Sequence, residues 1–104
     1  MTVATIAGTP VHVDPEGFLT EYDEWTDALA QHLAAGIGIE LSDAHWKAIR
    51  FLRDDFRAQG QTATLRRVST AGGIPIKELF ALFPGKPAKK MAYIAGLPKP
   101  HGCV

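Results

Sequence analysis

Apolar residues change their spacing several times along the chain, and each change marks an element. Val3-Ala4-Thr5-Ile6 and Pro10-Val11-His12-Val13 are two short β-prone runs with Ala7-Gly8-Thr9 between them. They predict an N-terminal hairpin closed by a tight turn. Asp14-Pro15-Glu16-Gly17 reads as a second turn. After Phe18 and Leu19 the period lengthens. Trp25, Leu29, His32 and Leu33 recur at helical spacing and predict a helix over 22–35, which Gly36-Ile37-Gly38 ends.

Ser42 is placed to cap the next helix, predicted over 43–59, with Asp43 favourable in its first turn. Trp46, Ile49, Leu52, Arg53 and Phe56 follow its period, and Gly60 closes it. Leu65 and Val68 belong to a short helix over 64–71, broken by Gly72-Gly73. Pro75 suits a helix start, with Ile76, Leu79, Phe80 and Phe83 as the apolar face and Pro84-Gly85 as the stop. A last helix over 87–95 turns Met91 and Ile94 inward and ends at Gly96. The expected fold is mostly α: a small orthogonal bundle of about five helices with an N-terminal β-hairpin. Trp25, Trp46, Phe51, Phe56, Phe80 and Phe83 are expected in its core.

The last nine residues break this pattern. Gly96-Leu97-Pro98-Lys99-Pro100-His101-Gly102-Cys103-Val104 holds two prolines and two glycines, which forbid a helix. Pro98-Lys99-Pro100 favours an extended path. The expected organisation is a helical domain over 1–95 and a flexible C-terminal arm over 96–104. From Gly96 to Cys103 such an arm spans roughly 20–25 Å at ~3.3 Å per residue.

Cys103 is the single thiol of the chain. A buried structural cysteine is normally anchored within an element, whereas this one sits one residue from the end. The thiolate is the reactive form of cysteine. Lys99 and His101 favour that form and the Val104 carboxylate opposes it. Gly102 lets the backbone approach another surface closely. Two readings stand at this point: a thiol presented for transfer inside a partner's active site, and a frayed terminus with an incidental cysteine.

The chain has 104 residues, 46% hydrophobic and 21% charged. That bounds it to about one globular domain with one modest core. No apolar stretch is long enough to span a bilayer. The N-terminus has no basic and apolar leader pattern. One cysteine forms no internal disulfide, which fits a reducing compartment, and a cytoplasmic location is expected.

The formal charge of zero hides an asymmetry. Residues 1–43 hold eight acids (Asp14, Glu16, Glu21, Asp23, Glu24, Asp27, Glu40 and Asp43) and no Lys or Arg. Residues 44–104 hold all eleven bases and only Asp54, Asp55 and Glu78. Either the halves attract within one fold, or a basic face meets an acidic partner or a nucleic acid.

The C-terminal run Ile94 to Val104 resembles the signature of the DsrC/TusE family. Further matching pieces are Asp14-Pro15-Glu16-Gly17-Phe18-Leu19, the Trp25 helix, His45-Trp46, Phe51-Leu52-Arg53, Leu82-Phe83-Pro84 and Pro87-Ala88-Lys89. The resemblance covers nearly the whole chain. It implies a small helical protein whose penultimate cysteine, Cys103, accepts sulfur as a persulfide and passes it on, with Gly96, Leu97, Pro98, Lys99, Pro100, His101 and Gly102 as the arm that carries it. It implies a carrier-type sulfurtransferase without turnover of its own and without cofactor. Implied partners are a sulfur-donor complex of the TusBCD or DsrEFH kind and an acceptor, either a tRNA thiouridylase or a dissimilatory sulfite reductase. DsrC members of this family carry a second arm cysteine eleven residues before the last. Here that position is Ala92. An arm disulfide or bridging trisulfide is therefore out of reach, and the resemblance points to a TusE-like role in tRNA 2-thiolation ahead of a full sulfite-reductase role.

Other chemistry finds less support. His12, His32, His45 and His101 share no helical ligand spacing, and no metal site is expected. His45 reads as a cap or packing residue. Ser69 has no base near it in sequence. Arg66, Arg67, Lys86, Lys89 and Lys90 are candidates for docking an acidic partner or holding an anion near Cys103. The Arg66-Arg67 helix, Gly72-Gly73 and the next helix also resemble a helix-turn-helix loosely, so a DNA-binding regulator remains a distinct alternative.

Overall fold

The structure, a computed structural model, describes residues 2–6 and 8–100. Strands β1 (Thr2–Ile6) and β2 (Thr9–Val13) pair antiparallel, with Val3 opposite His12 and Ile6 opposite Thr9. Val11 and Val13 alternate inward on β2 and pack with Leu19, Leu29 and Leu33. The hairpin therefore roofs the first helix. The turn after β2 is tied by Asp14, whose Oδ1 accepts from the amides of Glu16 and Phe18. Gly17 sits in it at φ +90°, a conformation that favours glycine.

Five helices follow: α1 (Asp27–Gly36), α2 (Asp43–Gln59), α3 (Leu65–Gly72), α4 (Ile76–Leu82) and α5 (Pro87–Ala95). Helix α5 is central, with α1, α2 and α4 all packing on it. Its Met91, Ala92, Ile94 and Ala95 are buried with Ile49 and Leu52 of α2 and Leu79 of α4. Four of the five helices start and stop within about a residue of the sequence pattern.

The exception is the helix expected over 22–35. It divides into a 3-10 turn, Tyr22–Glu24, and α1. Trp25 is extended at φ −78°, ψ 142°, and Thr26 caps α1 with its hydroxyl accepting from Leu29 N at 3.1 Å. A β-branched hydroxyl residue competes for the helix amides and opens the helix at its own position. The break lets Trp25 leave the α1 axis and reach α5. Glu24 ties this segment to the hairpin, accepting from the His12 amide at 2.7 Å and lying 2.8 Å from its Nδ1. These bonds, the backbone one first, hold the Glu24 carboxyl below the ordinary carboxylate range.

Three core expectations need correction. His32 faces solvent. Ile76 and Phe80 are exposed, at 42% and 47%. Among the aromatics only Phe83 of the expected core set is fully buried, with Trp25, Trp46, Phe51 and Phe56 half-buried against the core. Helix α4 has only seven residues, and Leu79 with Phe83 already fills its inward face. Phe80 lies about 100° further round the helix.

His45 is the cap the sequence suggested, and more. Its Nδ1 accepts from Ser42 N at 3.0 Å in a capping box, and its Nε2 lies 2.7 Å from the Leu82 carbonyl. An acceptor at Nδ1 leaves the proton on Nε2, which donates to Leu82 O. One buried ring thus satisfies the start of α2 and the end of α4, edge-on to Phe83. His45→Ala is expected to cost about 2 kcal/mol, a lost cap plus an unpartnered carbonyl, measured by urea unfolding.

Candidate functional site

The site that the fold builds most carefully is the root of the C-terminal tail. Helix α5 ends at Gly96 with φ +70° and ψ 36°. Gly96 N donates to Tyr93 O and Leu97 N to Ala92 O at 3.0 Å, the paired bonds of a Schellman stop. Leu97, the residue after that stop, is fully buried. Glycine is needed for a second reason. A Cβ on Gly96 would lie 2.4 Å from Trp25 Cδ1.

Trp25 is fixed in turn, its Nε1 donating to Ile94 O at 2.9 Å. Arg53 of α2 completes the clamp. Nη1 donates to Ala95 O at 2.8 Å and Nη2 to Tyr22 O at 3.0 Å. Its guanidinium lies 3.9 Å from the Tyr22 ring centre and 4.1 Å from that of Trp25. Tyr22 stacks on Phe56 and donates through its hydroxyl to Arg53 O. Burial draws the Arg53 pKa below its ordinary value, with the Tyr22 and Asp23 charges opposing. A guanidinium stays a cation regardless. It therefore caps the last carbonyl of α5, Ala95 O, where the helix dipole is negative.

The tail stays on the body beyond Gly96. Thr62 Oγ1 donates to Pro98 O at 2.7 Å, Lys99 Nζ lies 3.5 Å from Glu16, and Pro100 is buried. The expected domain boundary after Ala95 thus falls inside a packed stretch. Cys103, with His101 and Gly102, lies outside the described residues.

The sequence-derived bases are not gathered at one point. Arg67 is committed to Asp55, with Nε 2.9 and 3.0 Å from its two carboxylate oxygens and Nη2 2.7 Å from Oδ1. That bond raises the Arg67 pKa. Arg67, Asp55 and Thr62 line one groove of about 300 Å³ beside Pro98, so Arg67 does lie near the tail root. Arg66 is exposed on α3. Lys86, Lys89 and Lys90 stand at or near the start of α5, ~9–15 Å along the helix from Gly96. Lys90 folds back onto the Pro84 carbonyl. Among the described residues only Arg50–Asp27 and Lys99–Glu16 pair the basic half with the acidic half.

Sequence reasoning missed the clamp. Arg53 did carry a signal, a cation inside the apolar stripe of α2. Nothing local marked Tyr22 or Thr62. The loose helix-turn-helix also fails on chemistry. Helix α4, in the position of a recognition helix, presents Ile76, Lys77, Glu78 and Phe80, of which only Lys77 is a donor to a base edge or a phosphate.

The pieces scattered through the sequence, Asp14–Leu19, Trp25, Arg53 and the residues from Ile94, therefore meet at one place, the base of the tail. The chain as a whole is similar to known proteins in sequence and fold. A family profile described as "DsrC like protein" matches residues 5–104. The gamma subunit of dissimilatory-type sulfite reductase from Nitratidesulfovibrio vulgaris is 37% identical over 105 aligned positions, covering 100% of both chains. The sulfurtransferase TusE of Salmonella paratyphi A is 38% identical, covering 93% of this chain and 95% of that protein. The crystal structure of dissimilatory sulfite reductase I (DsrI) superposes with a TM-score of 0.83 at 38% identity, covering 99% of this chain and 100% of that one. Nothing in these comparisons supports a DNA-binding role. With the family profile spanning the tail and the full-length relatives agreeing in fold, the chain belongs to the DsrC-like family.

Proposed function

We propose that this protein is a sulfur-relay carrier that takes up sulfur as a persulfide on Cys103 and hands it to an acceptor enzyme, as a TusE-like component of tRNA 2-thiolation. The observation that carries the reading is the clamped tail root, Trp25, Arg53 and Gly96, built to present a segment whose one thiol is Cys103.

The chemistry is thiol exchange. The Cys103 thiolate attacks the outer sulfur of a donor persulfide, R–S–SH. The donor S–S bond breaks, R–S⁻ leaves, and Cys103–S–SH forms with no change in total oxidation state. In the second step an acceptor nucleophile attacks the terminal sulfur and the Cys103 thiolate departs. Thiolate fraction and access govern both steps. The carrier supplies reach and docking, and turnover belongs to its partners. Lys99 and His101 are the bases nearest Cys103 in sequence, with the Val104 carboxylate opposing them, and Arg66, Lys86 and Lys89 offer positive charge for docking.

Reach depends on which contacts hold. The three residues from Pro100 to Cys103 allow a reach of at most ~10 Å if Pro100 stays anchored, and the seven from Gly96 at most ~23 Å if the tail is released. Partners of two kinds fit, a multi-subunit sulfur donor and an acceptor thiouridylase. A cytoplasmic location, where thiols stay reduced, suits this chemistry.

Similarity to the sulfite reductase gamma subunit over its whole length favours a second acceptor, that reductase. Ala92 weighs against the two-cysteine cycle, because this chain holds one thiol and Ala92 is buried in α5.

Intact-protein mass spectrometry tests the carrier reading. After incubation with a cysteine desulfurase, cysteine and a donor complex, the wild type is expected to gain one sulfur atom that reductant removes. Cys103→Ser is expected to gain none while its circular dichroism spectrum and melting temperature stay unchanged. A wild type left unmodified by an active donor overturns the reading.

A further inference from the structure

Thr62 lies in the loop 60–64 between α2 and α3 and is only 6% exposed. Its hydroxyl donates to Pro98 O at 2.7 Å. The loop is a fixed post for that bond. Gly60 N donates to Phe56 O, Ala63 is buried in the core, and Thr64 caps α3 by accepting from Arg67 N at 3.2 Å.

Pro98, by contrast, is exposed, although Leu97 before it is fully buried. Proline has no amide to donate, so the stretch 98–100 is held through carbonyls, side chains and the Lys99 amide alone. The polar contacts weaken outward along the tail. Ala95 O accepts from a guanidinium, and Pro98 O from a neutral hydroxyl. Lys99 Nζ stands 3.5 Å from the carboxylate of an exposed Glu16. Breaking the Thr62 bond strands neither partner. Thr62 lines the groove of about 300 Å³ shared with Asp55, Thr64 and Arg67, which has room for water, and Pro98 already meets solvent. A bond whose two groups water can take over opens reversibly.

We propose that Thr62 is a positioning residue, a latch that holds Pro98 and keeps Cys103 close to the body until a partner draws the tail out. Its purpose rests on the carrier reading; the latch itself does not. With the stretch to Pro100 held, Cys103 reaches at most ~10 Å, and with the latch open at most ~23 Å from Gly96. The clamp at Gly96 is untouched by the opening, so the tail keeps its direction of exit.

The latch is tested with a nitroxide on Cys103, the one thiol of the full chain, by mapping the paramagnetic broadening of backbone amides. In the wild type, broadening is expected to concentrate around Thr62 and Glu16. Thr62→Val, close in shape but without the hydroxyl, should roughly halve it there and spread it over the surface. Thr62→Ala should give the same map, and Thr62→Ser should restore the wild-type one. Melting temperatures show which variants fold. Equal maps for the wild type and the variants lacking the hydroxyl overturn the proposal, as does a change that serine fails to restore.

Sulfur uptake by the unlabelled chains tests the purpose. With a desulfurase-charged donor complex, Thr62→Val is expected to lower the carrier concentration at half-maximal rate about fivefold with kcat unchanged, because the extended tail no longer competes with the bond. Uptake from inorganic polysulfide, which needs no reach, should be equal in both chains. A half-maximal concentration that is unchanged or raised in Thr62→Val overturns the proposal. A wild type that takes sulfur from neither donor sinks the carrier reading instead, and the broadening maps still decide the latch.

Discussion

Gly96→Ala is expected to lower the stability of this protein by about 3 kcal/mol, or roughly 10–20 °C in melting temperature for a chain of this length. Two costs combine. A non-glycine residue held at φ +70° costs about 1 kcal/mol or slightly more. The new methyl would lie 2.4 Å from Trp25 Cδ1 and 2.9 Å from its Cγ, so the indole must move. That movement breaks the Trp25 Nε1 bond to Ile94 O and disturbs the stack with Arg53. Crowding of this kind costs about 1–3 kcal/mol. A double-mutant cycle separates the two parts. In a Trp25→Ala background, Gly96→Ala should cost only the backbone term, about 1–2 kcal/mol. Full additivity of the two substitutions in thermal melts would show that the close approach to Trp25 is not what selects glycine.

Arg53→Met is expected to cost about 2–3 kcal/mol, and Arg53→Lys to recover less than half of it. The guanidinium bridges two carbonyls on different elements, Ala95 O and Tyr22 O, while lying against two rings. A charged donor to a carbonyl contributes about 1.5–3 kcal/mol, and each cation–π contact about 0.5–2, with partial exposure lowering both. Lysine brings one compact charge and no planar fork. Methionine keeps the packing volume but leaves Ala95 O and Tyr22 O to water. Denaturant unfolding measures the stability loss. A second measurement tests the link to function. Transfer of sulfur from the charged carrier to its acceptor should slow about tenfold or more, because the tail leaves the body in a less defined direction. The reaction of Cys103 with a small thiol reagent should stay unchanged. Equal slowing of both would place the effect on the thiol itself rather than on its presentation.

Much of the fold was legible because its signals are local. Ser42 with Asp43 at a helix start, and Gly60 and Gly96 at helix ends, act through backbone groups within a few residues of themselves. These positions bounded α2 and the end of α5 correctly. Trp25 misled for the same reason. Its spacing to Leu29 fits one helix, but Thr26 caps the next turn, and the indole's decisive partners, Ile94 O and Gly96, lie about seventy positions away. Phe80 misled because apolar character was read as burial, whereas α4 is too short to bury more than one face.

The sequence by itself determined the chemistry available to this protein: one thiol, at position 103, behind a run of Gly and Pro that no helix can absorb. It also determined the order of elements, since hydrophobic period and capping residues act over short distances. Only the tertiary structure decided where the tail begins. Ala95 O, Pro98 O and Lys99 are held by Arg53, Thr62 and Glu16, residues from α2, the loop after it and the turn after the hairpin. Such contacts depend on how α2 and the N-terminal turn pack around α5. No spacing along the chain encodes that, because the partners meet only once the hydrophobic core has brought distant segments together.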